Sequence, residues 1–567
     1  MPIPLVDPGT PPAHGPAAAS PSELGFVPQR RVRWFSPGVL LSTGWQALLS
    51  KTVGHFVGRR ELQAIDAAAP LDLSDAGELW LDYVSDTGDG FAAATTVASV
   101  VARDVIRLEH EGRELELAAG ELLVLGGDQV YPAASVRAYE DRFIGPYRSM
   151  LPWTARPRRL VAIPGNHDWY DGLAGFLQVF CQQRWIGGWQ TTQERSYFAV
   201  QLPQGWWLWG LDIAQETYLD QAQLEYFTAI AQRLDDQDTL ILCWARPSWT
   251  DAGPDDPEAY AVMEYFERTV IGDRRRVRIS LSGDSHHYAR YAGPEGQQKI
   301  TAGGGGAYLS ATHHLPEELR LPPKESRDTH KDPEVTYHRR TVYPDVPTSQ
   351  RLRWGVFGAI HRNGLLWLIP ALVYAGLGML GSRTVTGLVP TGPLNVEVPE
   401  LAALIALLVA LGYGLVAFTQ SRGARATGLG AVHTMMHSAV ILAVLLGMAA
   451  VDLPSGWSTA ALAAAEFTVG ALLGPLVVAV YLIVADRVGP RGTNTNELFA
   501  VQAREDYKCF LRLHIGLDGA LTIYPLKIDR PARWRFAGAA DDPAARWFEP
   551  DAEPEPALIE APIVVPK

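Results

Sequence analysis

The stretch LSGDSHHYARY (281–291) follows the apolar run VRISL and brings Asp284, His286 and His287 together. All three side-chain types bind metals. On its own the stretch reads equally as a working metal site, a broken one or a polar loop. Residues of the same kind follow other apolar runs: Asp86 after LWLDYV, Asp128 after ELLVLGG, and Asn166 after RRLVAIP. With His286 they supply carboxylate, amide oxygen and imidazole, the groups that hard or borderline cations draw from distant parts of a chain.

Strands must carry these residues to one place. From roughly residue 78 to 310 the chain repeats an apolar run, a turn rich in Gly, Asp, Asn or His, and in places a helix-like stretch such as AQLEYFTAIAQRL. TLILCWA runs into RPSW, and VRISLSG runs into DSHHYAR. The alternation predicts an α/β sheet sandwiched by helices. Functional residues would then gather at the strand ends, where loops from several strands converge.

In order along the chain, these blocks resemble the calcineurin-like metallophosphoesterases, and best their purple-acid-phosphatase-like branch. Gly165-Asn166-His167-Asp168 is similar to the family's GNH[DE] block, Asp86-Thr87-Gly88 to its D-x-G opening, and Gly127-Asp128-Gln129-Val130-Tyr131 to its GDxxY block. The resemblance implies an α/β/β/α sandwich over residues 31–311 and hydrolysis of a phosphate mono- or diester. It implies Asp86, Asp128, Tyr131 and His286 as ligands of a first metal, with Asp128 bridging to a second metal also held by Asn166. Two divalent or trivalent ions (Fe, Mn, Zn or Mg) are the expected cofactors. His167 would protonate the leaving oxygen, and Asp168 would orient His167 as its acceptor.

Two blocks depart from the family pattern. Where a VxxH histidine would bind the second metal, the chain has Leu242-Cys243-Trp244-Ala245, and Ala245 cannot ligate. Where GHxH is expected, it has Gly283-Asp284-Ser285-His286, with Asp284 in place of an imidazole. The second site is therefore expected to be harder, favouring Mg, Mn or Ca over Zn, with a position left for water. His287, Arg290 and Arg246 are candidate phosphate contacts, against a plain surface role for the two arginines. ITAGGGGAYL (300–309) lacks the Lys and Ser/Thr of a phosphate loop and reads as a tight turn beside the site. The altered second site also suits a sensor or scaffold that binds metal or phosphate without turnover.

Beyond residue 350 the composition changes. Apolar runs at about 364–381, 401–419, 430–451 and 461–485 each approach the 20 or so residues needed to cross a bilayer. They predict an all-α transmembrane four-helix bundle within 363–486. Arg351, Arg353, Arg362, Arg422, Arg425, Arg487 and Arg491 flank it on one side, against Arg383 alone on the other. This asymmetry predicts a plasma-membrane protein with both termini and the catalytic region in the cytoplasm. His433 and His437 share one helical face, and Glu466 lies near the outer end of the fourth run. All three fall close to an expected interface and are read as interfacial groups. A transport or proton-relay bundle with a regulatory soluble domain is the rival reading.

The remaining segments are expected to be minor. Residues 1–30 read as a disordered tail without signal-peptide features, 312–362 as a polar linker, 487–545 as a small α+β segment docking on the catalytic domain, and 546–567 as a loose acidic tail. RWFSPGVLLSTGWQALLS (33–50) is an amphipathic stretch expected to pack on that domain. In the 567-residue chain, 49 basic against 62 acidic residues give a net charge of −13, which leaves no basic footprint for nucleic acid. Cys181, Cys243 and Cys509 form no CxxC pair, which excludes a zinc knuckle or disulfide framework. The partners expected are a phosphate-ester substrate and the lipid bilayer.

Overall fold

Runs rich in Leu, Val, Ile and Trp that are buried on both faces become the central strands. Leu79–Val84, Leu122–Leu125, Arg158–Ala162 and Trp189–Thr191 lie side by side and parallel. Trp206–Leu211, Thr239–Trp244, Val277–Ser282 and Gln298–Ala302 form a second parallel set. Continuous apolar runs of this kind belong to parallel strands covered on both sides. The computed structural model describes residues 20–40, 69–213, 219–327, 333–359, 363–385, 398–419, 424–449, 458–489, 492–538 and 542–567. The rest of the proposed N-terminal tail and of the amphipathic stretch, residues 1–19 and 41–50, lies outside these.

The chain divides into two units: Met1–Val32, Thr43–Val346 and Glu505–Lys567 form one, and Arg33–Ser42 with Pro347–Arg504 form the other. Among the described residues of the first unit, the two large sheets have nine strands each. Tyr83, Val124, Val161 and Leu513 from one sheet and Leu208, Ile241, Ile279 and Ile300 from the other fill a single buried core between them. The helices Phe91–Val101 and Ala174–Phe180 cover the outer face of the first sheet, and Gln221–Ala231 and Ala261–Phe266 that of the second. The result is four layers, α/β/β/α.

Three segments differ from their expected roles. Residues 312–362 are no linker: Glu318–Leu321 and Val335–Tyr343 extend the second sheet, burying Leu319, Leu321, Tyr337 and Tyr343 beneath a polar-looking sequence. Nor is 546–567 a loose tail, since Ala557–Leu558 and Ile563–Val565 both pair with Leu521–Ile528, and Val565 is buried. Residues 20–30 of the expected tail are structured, with Leu24 and Phe26 in the outer core. Within the 487–545 segment, Lys508–Ile515 and Leu521–Ile528 form a hairpin, with Gly519 taking the left-handed φ of +79° in its turn. The hairpin joins the first sheet, where Lys508–Ile515 runs antiparallel to Leu79–Val84.

The second unit is helical: α1 (Leu368–Val385), α2 (Val398–Phe418), α3 (Ala424–Ala449) and α4 (Ser458–Val488). Among the described residues, two stretches are long and apolar enough to cross a membrane, Thr427–Met448 and Thr459–Val488. Gly364–Leu380 and Ile405–Phe418 are shorter apolar helices, so length and composition support two of the four expected spans. α1 and α4 pack closely because Gly470 and Gly474 face Pro370, a small-residue contact common between apolar helices. His433, His437 and Glu466 are buried within the helical unit. The two histidines of α3 turn toward Tyr374 of α1 and Tyr481 of α4, and Glu466 of α4 lies against Gly378 of α1.

Candidate metal centre

Every expected donor except Tyr131 lies just beyond the C-terminal end of a central strand. Asp86 follows Val84, Asp128 follows Leu125, Asn166 follows Ala162, and Asp284 and His286 follow Ser282. Asp86, Asp128 and Asp284 all have left-handed backbones, with φ of 61°, 51° and 60°. Residues with a Cβ rarely adopt this region, and such strain persists only where surrounding contacts over-determine it. Here the loops hold one another. Asp86 N donates to Gly127 O (2.9 Å), Thr87 N to Asp128 O (3.1 Å), and Asp284 N to Asp86 Oδ2 (3.0 Å). The glycine run lies beside the site, bonded to the Asp86 loop. Gly305 N donates to Ser85 O and Ala307 N to Asp86 O, and a Cβ on Gly306 would stand 2.0 Å from Thr87 O.

The side chains converge on the phenol of Tyr131. Its hydroxyl lies 2.8 Å from Asp86 Oδ1, 3.2 Å from Asp128 Oδ2 and 3.1 Å from His286 Nε2. His286 Nε2 and Asp86 Oδ1 are 3.5 Å apart. Adjacent ligands on one ion with bonds of about 2.1 Å stand about 3 Å from each other, so these spacings fit a shared cation. Among the described residues no three His, Cys, Asp or Glu side chains form a metal-holding group by themselves. The convergence depends on the phenol. Burial, and then the nearby carboxylates of Asp86, Asp168 and Asp284, push Asp128 well above the usual carboxylate range. Burial beside Asp128 and Asp86 raises the Tyr131 phenol strongly as well. The cluster is short of positive charge, which is the deficit a metal ion would fill.

The expected second-site residues are less convergent. Asp128 Oδ1 accepts from His167 N at 2.9 Å, and the Asn166 side chain meets Tyr170. Burial lifts Asp284 to about 6, with Arg246 acting in the opposite direction. Arg246 itself pairs with Asp251 at 2.7 Å. Ala245 is packed in the inter-sheet core.

Asp168 is not the acceptor for His167. Its carboxylate takes Tyr139 Oη (2.6 Å), Gly165 N (2.8 Å) and Gln129 N (3.3 Å), tying the two metal-site loops together. His167 Nδ1 instead lies 2.7 Å from Pro132 O, and its ring packs against Tyr131. Burial lowers the His167 imidazolium to about 4, so the ring is neutral at pH 7. With Nδ1–H given to the carbonyl, Nε2 is left as an acceptor.

Arg290 and His287 are not placed for a phosphate. Arg290 is held by Glu560 (2.5 and 2.9 Å) and Gln298, and the His287 ring is buried. Sequence reasoning missed Tyr139, Pro132 and the buried Lys508, which donates to Ala307 O behind Asp86. GDQVYP hinted at Pro132 by proximity alone, and nothing local pointed to Lys508.

No family model matches the sequence, and no curated protein is similar to it. Among solved structures, one described as the structure of PhoD is similar, with a TM-score of 0.27 and 12% identity. The match covers 43% of this chain and 60% of that one, so the chain spans less than two thirds of its length.

Proposed function

We propose that this protein is a metal-dependent phosphoesterase anchored in a membrane by its helical unit, with its catalytic unit on the cytoplasmic side. The observation that carries the reading is the meeting of Asp86, Asp128 and His286 on the Tyr131 hydroxyl at the spacing of ligands around one ion. Asp86, Asp128, Tyr131 and His286 would hold a first ion. Asp128, Asn166 and Asp284 would hold a second, oxygen-rich one. Bound ions would lower the pKa of a coordinated water and clamp the phosphoryl oxygens of an ester.

The chain's own residues supply the rest. Tyr139 and two backbone amides fix Asp168, and through it the loops of Asp128 and Asn166. His167 is held at Nδ1 by Pro132 O, which assigns any proton transfer to Nε2. That nitrogen takes up a proton as an anionic ester docks, and returns it to the leaving oxygen. Arg246, partly exposed beside Asp284, is the cation best placed to meet a phosphate entering the altered site. The test is metal content by mass spectrometry on the full chain, alongside a screen of phosphate mono- and diesters. The wild type is expected to hold metal and turn over an ester, with Asp128→Asn losing both. A folded wild type that holds no metal after incubation with Mn, Mg, Fe or Zn would overturn the reading.

A further inference from the structure

The phosphoesterase reading leaves a run of polar side chains inside the helical unit unused. Glu466 of α4 is fully buried, and neither of its carboxylate oxygens has a hydrogen-bond partner. Its stem lies against Gly378 of α1, where a Cβ would stand 2.5 Å from the Glu466 Cγ. One turn earlier on α1, the Tyr374 hydroxyl is 2.8 Å from His437 Nδ1 of α3. His437 Nε2 is 3.2 Å from His433 Nε2, and His433 Nδ1 is buried without a partner. The His433 ring stacks on Tyr481 of α4 with centroids 3.8 Å apart. Tyr481 Oη donates to Asn494 Oδ1 (3.0 Å), and Asn494 Nδ2 to Glu497 Oε2 (3.2 Å).

Other charged groups nearby are engaged or face away. Asp486 is held by Arg353 at 2.9 Å, and Tyr413 of α2 points outward, 78% exposed. From residue 466 to 481 the run follows α4 for about 22 Å, most of a bilayer core of about 30 Å. Burying an unpaired carboxyl group is costly, and ionisable groups turned into a bundle mark proton or ion paths. Among the described residues no third ligand joins the two imidazoles to make a metal site.

We propose that the bundle binds protons, with Glu466 as the terminal acceptor of a relay that begins at His433. In the tautomers that the contacts allow, His433 carries its proton on Nε2 and His437 on Nδ1. A proton arriving at His433 Nδ1 releases the Nε2 proton to His437 Nε2. His437 passes its Nδ1 proton to the Tyr374 oxygen, and the Tyr374 hydroxyl proton moves to the Glu466 carboxylate, whose unpartnered oxygens turn to receive it. Every residue except Glu466 ends with as many protons as it began with.

The experiment is pH-jump infrared difference spectroscopy on the full chain in lipid nanodiscs, reading the carbonyl stretch of a protonated carboxyl group. A downward jump is expected to raise a band that is absent in Glu466→Gln and rises more slowly in His433→Gln. Thr468→Val, on the exposed side of α4, should leave both the band and its rate unchanged. Glu466→Asp, which shifts the band and does not abolish it, makes the assignment if Glu466→Gln fails to assemble. A spectrum indifferent to both Glu466 variants, or a rate unchanged in His433→Gln, would overturn the proposal.

Discussion

Removing the last 63 residues should destroy the first unit, although no expected metal ligand lies among them. Phe510, Leu511, Leu513, Ile515, Leu521, Ile523, Leu526 and Ile528 are each at most 2% exposed in the sheet cores. At ~1.5–3 kcal/mol per buried large apolar side chain, these eight contribute on the order of 12–24 kcal/mol, an upper bound set by an extended unfolded chain. Whole domains are stable by only about 5–15 kcal/mol, so no plausible reserve covers the loss. The electrostatics point the same way. Arg512 meets Asp82 through two hydrogen bonds, 2.7 and 3.0 Å long, with both side chains buried. Deleting one partner of such a pair costs about 3–5 kcal/mol, because the other is left as an uncompensated buried charge. A fragment spanning residues 20–350 should be insoluble or lack a cooperative melt by circular dichroism. Co-expression with residues 505–567 should restore both the melt and metal binding, and Arg512→Met in the second fragment should weaken the rescue. A 20–350 fragment that folds cooperatively and binds metal alone would refute the reasoning.

Other substitutions separate loop geometry from ligand chemistry. Gly306→Ala pushes a methyl group into Thr87 O, so it should weaken metal binding about tenfold or more while the fold persists, as read by metal titration and a melt. Tyr139→Phe removes the 2.6 Å bond to the buried Asp168 carboxylate and should cost about 1.5–3 kcal/mol in a urea denaturation series. Lys299 is buried among Trp249, Tyr260 and Tyr337, and burial lowers its pKa from 10.5 to about 8. Between those pH values the unfolded chain binds a proton that the folded protein has released, so this residue makes stability rise with pH across that window. Lys299→Met should erase that slope and add up to about 3 kcal/mol near pH 7, measured as the difference from wild type across a pH series.

The centre was legible where the determinants were local. Asp86, Asp128, Tyr131 and His286 sit in short blocks at strand ends, and strand ends converge in any such sheet. Roles that depended on distant partners were not legible. Asp168 stands beside His167 in sequence, yet its acceptor sites are taken by Tyr139, Gly165 and Gln129. Arg290 looked free because Glu560, which holds it, lies in a segment whose Pro and acidic content suggested a tail. Val335–Tyr343 alternates only loosely, and its charged residues masked an interior strand of the second sheet. For His433, His437 and Glu466, position along the helix suggested an interface, whereas burial is set by which face meets the neighbouring helices.

The order of the segments constrains both topology and assembly. Residues up to Val346 and from Glu505 onward belong to one unit, and Leu511 pairs with Tyr83 in one sheet. The helical segment between them therefore leaves from and returns to the same folded body. If it crosses a membrane, it does so an even number of times. Two or four crossings satisfy this and one or three do not, and the arginines at both ends of the segment fit a shared side. Until residue 505 has been made, the Leu79–Val84 strand has an unpaired edge and Asp82 lacks its cation. The loop behind Asp86 also lacks the bonds from Cys509 N to Gly304 O and from Lys508 to Ala307 O. An unpaired apolar edge beside a buried carboxylate is not a resting structure. The strand-end cluster around Tyr131 can therefore form only after the helices have been synthesised, which ties any activity of the first unit to a chain whose helical segment is already complete.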